Sequence, residues 1–118
     1  MTTFGGAIGG GKLLRLSRDK MAHAIGIVGY NAPVPGLIKW ARTRKGGMET
    51  YDSAGWICLT ATIAALLADM SYTGDQTLLE GEYGFWLYYG SSIWDKHKVT
   101  EKLGMSWRMV DGTGSYKA

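Results

Sequence analysis

Cysteine and proline are scarce in this chain, which holds one of the first and two of the second. The single Cys58 excludes an internal disulfide and fits a reducing compartment. Pro33 and Pro35 lie almost together in NAPVPGL, so the other stretches contain no residue that forbids a helix. No apolar run is long enough for a membrane span: the most apolar stretch, SAGWICLTATIAALLADM at 53–70, is broken by Thr60, Thr62 and Asp69. The opening MTTFGGAIGGGK has no charged segment leading into an apolar core, so no signal peptide is expected. These absences point to a cytoplasmic protein without a membrane partner. Net charge is only +3, with a sequence pI near 9.0, which is too weak for nucleic-acid binding and mildly favours small anions. Repeats and low-complexity segments are also missing.

What is abundant is glycine, 18 residues, together with five Trp and seven Tyr in only 118 positions. One domain, 1–118, is the expectation at this length, with a modest core. So large an aromatic load in a small core predicts that part of it lies in an interface.

The 53–70 stretch carries apolar residues around nearly its whole circumference. Ile57, Ala61, Ala64 and Ala68 lie on one side, and Leu59, Ile63, Leu66, Leu67 and Met70 on the other. Such a pattern predicts a helix buried on all sides. The segment 3–16 has helical apolar spacing, but its glycines each cost about 1 kcal/mol relative to Ala, which predicts a frayed or context-dependent first helix. Gly5/Gly9 and Gly6/Gly10 would give that helix a smooth stripe for close approach by another. Ser17 is the expected N-cap of a helix over RDKMAHAIGIVGY, with Asp19 in its first turn. Lys39, Arg42, Arg44 and Lys45 make a basic loop beside Trp40, able to hold a phosphate or carboxylate.

Gly74 is expected at or near the C-cap of the central helix. A helix over about residues 76–89, interrupted by Gly81 and Gly84, should follow. A polar helix capped by Ser91 or Ser92 should end on Gly104. The expected architecture is an all-α small bundle of about five or six helices with an irregular C-terminal tail, completed by oligomerisation.

Two carboxylate–imidazole pairs stand four residues apart on predicted helices: Asp19 with His23, and His97 with Glu101, with Asp95 nearby. Together they could form a two-histidine carboxylate site for a divalent metal of the Zn or Mn type, activating water for attack on an anionic ester. The resulting expectation is a small metal-dependent hydrolase, acting on a phosphoester or phosphodiester. The competing one is a non-catalytic, self-associating helical unit, most simply a homodimer. For His23 the alternative role is a core histidine, and for Asp95, His97 and Glu101 a solvated face. Two other patterns carry little. GAIGGGK at 6–12 has phosphate-loop spacing, but Leu13 stands where Ser or Thr is needed and no strand precedes it. Cys58 has no basic neighbour and is expected to be a buried, inert thiol.

The runs AHAIGIVG, AALLADMSYTG and LLEGEYGF, in this order, resemble the MmgE/PrpD family, which includes 2-methylcitrate dehydratase and cis-aconitate decarboxylase. The resemblance implies a match to the later helices of a larger helical domain and the opening strand of an α/β domain. It also implies that Thr50 stands where the family usually has a functional Lys, and Ser53 where decarboxylase-like members have a His. Lys117 matches the Lys of a further family segment. With those groups replaced, dehydration or decarboxylation of the parent type is expected to be absent.

Overall fold

The computed structural model describes residues 2–32, 52–89, 93 and 95–107. Among them the chain is helical and has no strand: α1 spans Thr2–Leu13, α2 Arg18–Tyr30, α3 Asp52–Asp69, α4 Phe85–Tyr89 and α5 Lys96–Thr100. The first three make the bundle. Contact is most extensive between α1 and α3, then between α2 and α3, then between α1 and α2.

The glycine-rich segment is helical from Thr2 to Leu13, the context-dependent outcome, because Gly6 and Gly10 face a partner helix. A methyl group built on Gly6 would stand 2.8 Å from the Ala61 methyl, and one on Gly10 would stand 3.3 Å from that of Ala65. The backbone of α1 therefore lies directly on the alanine face of α3. GAIGGGK lies inside this helix. The tertiary contact offsets the intrinsic cost of the glycines.

Both α1 and α3 end in the same hydrogen-bonded turn, without the glycine usual there. After α1, Arg15 takes a left-handed φ of 55°, Arg15 N–H donates to the Lys12 carbonyl and Leu16 N–H to that of Gly11. After α3, Ser71 has φ 67° and donates to Ala68, while Tyr72 donates to Leu67. These are Schellman caps. Gly74 is thus not the cap; it is needed for close approach, since a side chain there would meet the His23 carbonyl at 2.6 Å. Ser17 caps α2 as expected, its hydroxyl accepting from Lys20 N–H at 3.3 Å. Residues 76–83 form turns rather than a helix, and α4 begins only after Gly84. The N-cap of α5 is Asp95, Ser91 and Ser92 lying outside the described residues.

The core joins Phe4 and Ala7 of α1, Ala24, Ile27 and Val28 of α2, and Ala61, Ala64 and Ala68 of α3. Phe85 closes one end, its ring edge-on to Phe4 at 5.0 Å between centroids. Only the alanine face of α3 is covered. Trp56, Leu59, Ile63, Leu66 and Met70 are exposed, and so is Cys58. The expectation of a helix buried all round, holding a buried thiol, is corrected accordingly: the described elements pack on one side of it only.

Replacing Gly6 with Leu forces two backbone-anchored groups together and should destabilise the fold by about 1–3 kcal/mol. Gly5 has open space around it, and Gly5→Ala should stabilise by up to about 1 kcal/mol through helix propensity. Urea denaturation of both variants separates seam packing from propensity.

Candidate functional site

Of the residues proposed as metal ligands, α2 brings two together. Asp19 Oδ2 lies 3.7 Å from His23 Nε2, the spacing of residues one turn apart. A third group arrives from the turn after α3. The Gln76 amide donates to Asp19 Oδ1 at 2.9 Å, and its nitrogen lies 3.2 Å from His23 Nε2. When that amide donates to both, His23 carries its proton on Nδ1 and donates it to the Gly74 carbonyl at 3.0 Å. In the other tautomer Gly74 N–H donates to Nδ1 at 3.2 Å. Either way both ring nitrogens face protein groups, and the half-buried imidazole fastens residues 74–76 onto α2. The glycines at this crossing fit that role: a side chain on Gly26 would strike the Asp75 backbone, as one on Gly74 would strike His23. Lys20 adds a second tie, its ammonium donating to the Asp69 carbonyl and lying 3.7 Å from the Asp69 carboxylate.

The other proposed ligands are engaged differently. Asp95 Oδ1 accepts from His97 N–H at 2.9 Å and so caps α5. Glu101 is taken by Lys98 at 3.1 Å, leaving the exposed His97 without it. Among the described residues no group of three or more His, Cys, Asp or Glu side chains is placed to hold a metal ion. Lys39, Arg42, Arg44 and Lys45 lie outside the described residues, as do Thr50 and Lys117. Gln76 is the member of the His23 cluster that sequence reasoning missed. It stands 53 positions from His23, and no local pattern marks it.

Next to this cluster, Asp75 Oδ1 accepts from the Thr77 hydroxyl at 2.7 Å and from Thr77 N–H at 2.8 Å. The hydroxyl first, then the amide, holds the Asp75 carboxyl below its ordinary range.

The described residues thus form a three-helix bundle whose 74–76 turn is fastened by an imidazole tie. Residues 1–93 match the MmgE/PrpD N-terminal domain, and the chain belongs to that family. Comparison with curated proteins and with solved structures found no match. Family membership overturns the expectation of a small metal-dependent phosphodiesterase-like hydrolase, since it ties the chain to a family resembling dehydratases and decarboxylases. The geometry gives the physical reason. The two carboxylate–imidazole pairs do not converge: one is spent on a tertiary tie, and the other is split between a cap and a lysine.

His23→Ala should remove the tie and cost about 1–3 kcal/mol, with faster amide exchange concentrated at Gly74–Gln76. Hydrogen exchange followed by NMR reads both. Because folding lowers the Asp75 pKa, its contribution to stability is present above the unfolded carboxylate value and lost as pH falls through the folded one. Thr77→Val should raise the Asp75 midpoint toward the ordinary value and weaken that acid dependence, as followed by NMR titration.

Proposed function

We propose that this protein is a non-catalytic, self-associating helical unit of the MmgE/PrpD type, whose partner is a second copy of itself. The observation that carries this reading is the outer face of α3. Trp56, Leu59, Ile63, Leu66 and Met70 are exposed, from 46% for Ile63 to 79% for Met70, and stand at alternating intervals of three and four residues. That is the seam spacing of paired helices. About Ile63, Trp56 and Met70 lie at equal separations on either side, and Leu59 and Leu66 at nearly equal ones. An antiparallel two-fold pairing through the middle of the stripe brings Trp56 near Met70 and Leu59 near Leu66, with Ile63 close to the axis. Methionine sulfur against an aromatic ring is a favourable contact. Between Asp52 and Asp69, at the ends of α3, the helix has no charged residue, so a second copy meets no like charge along the seam. The opposed helix dipoles favour the same orientation.

Three further features support the non-catalytic part. By resemblance, Thr50 and Ser53 replace the family's functional Lys and His, and His23 is committed to a structural tie. No described helix is long and apolar enough to cross a membrane, and a cytoplasmic location fits the single cysteine.

Sedimentation equilibrium at micromolar concentration should give a dimer. Ile63→Lys, at a position already half exposed, should give a monomer with unchanged helical circular dichroism. A well-folded wild-type monomer would overturn the proposal, as would turnover of 2-methylcitrate or cis-aconitate by the purified protein.

A further inference from the structure

The end of the bundle where α1 turns into α2 holds an open cleft of about 420 Å³, lined by Lys12, Arg15, Leu16, Arg18 and Met21. Three of its five lining residues are cationic. Among the described residues, none of the three forms an ion pair: the salt bridges there join Lys20 to Asp69, His23 to Asp19 and Lys98 to Glu101. Among the described residues, the neighbouring carboxylates have other partners. Asp19, one residue after Arg18, accepts from Gln76, and Asp69 is held by Lys20. The C-terminal end of α1 offsets only part of the charge, and its last carbonyls are engaged by the backbone. Those of Gly10, Gly11 and Lys12 already accept from Leu14, Leu16 and Arg15.

The local fold explains why these cations stand together. Leu16 is drawn against the core, and the Schellman turn that delivers it places Arg15 in the left-handed region at the tip of the connection. Lys12 stands in the last turn of α1 and Arg18 opens α2, so the reversal brings both to the rim of one cleft. Gly11 lets Met21 pack close, a methyl group there standing 2.8 Å from Met21 Cε, and Met21 with Leu16 supplies the apolar lining. The α2 N-terminus is already capped by Ser17, so the site rests on its side chains and its cleft.

We propose that this cleft binds a small soluble phosphate monoester, with Arg15 and Arg18 gripping the phosphate, Lys12 adding charge, and Leu16 and Met21 taking the uncharged body. Two guanidinium forks match phosphate oxygens in pairs. A dianionic head relieves the mutual repulsion of the three cations. The cleft falls within the volume range of small-molecule sites. Nothing in this assignment depends on self-association, because the cleft lies at the α1–α2 turn and not on the outer face of α3.

Isothermal titration calorimetry of the full chain with phenyl phosphate tests it. Binding of one ligand per chain is expected, weaker for inorganic phosphate, which leaves the apolar lining unused, and weaker as salt rises. Arg15→Gly keeps the left-handed turn while removing the guanidinium. Combined with Arg18→Gln it should weaken binding by about tenfold or more. Lys98→Gln, on the distant α5, should leave binding unchanged. The proposal is overturned if phenyl phosphate shows no saturable binding, or if Lys98→Gln weakens binding as much as the double variant. Citrate binding as tightly as phenyl phosphate would also overturn it, as would binding only to vesicles containing phosphatidic acid.

Discussion

The contact on which the rest of the described structure depends is the seam between α1 and α3, glycine against alanine. Gly6 faces Ala61 and Gly10 faces Ala65, so closely that a methyl group on Gly6 has no room. A seam of small residues brings two backbones near each other and lets many weak dispersion contacts accumulate without long side chains. It also sets how deep α1 sits, and so where Phe4 enters the core and meets Phe85. The same economy recurs where α2 crosses the 72–85 segment. There Gly26, Gly29 and Gly74 remove side chains at close crossings, and His23 supplies the polar tie.

Spending the small face of α3 on this seam has a consequence for the other face. Helix α3 buries Ala61, Ala64, Ala65 and Ala68 and turns its large apolar residues outward. The inward seam carries close approach and the outward one carries bulk. An outward stripe of Trp, Leu, Ile and Met is the feature that distinguishes this helix from an ordinary amphipathic one, whose outer face is polar. The self-association proposed above would use this outward face of the helix. The chemistry that the resemblance assigns to the family would depend on residues that, by that resemblance, stand replaced at positions 50 and 53.

Much of this was legible locally. The helical class, the Ser17 cap, the close-approach stripe of α1 and the central helix all follow from patterns within one turn or a few. The candidate site was legible only in part. The Asp19–His23 spacing is a helical repeat and was visible; the role of His23 was not, because Gly74 and Gln76 reach it from more than 50 positions away. The cap of α3 was located only approximately for a related reason. Gly74 has the residue type of a cap, but the left-handed position falls on Ser71, and the glycine answers to a neighbour across the bundle. The helix expected from residue 76 gave way to turns because Asp75 binds Thr77 and Gly84 donates to Gly81, local bonds that compete with helix formation.

By itself the sequence determined the class of the fold, the lack of an internal disulfide within these residues, and the family. Each of these rests on composition or on order along the chain. Tertiary structure alone decided which face of α3 is covered, that His23 meets Gly74 and Gln76, and that Lys12, Arg15 and Arg18 line one cleft. Periodicity specifies which residues share a face. Only the packing of one helix on another specifies whether that face meets protein or water.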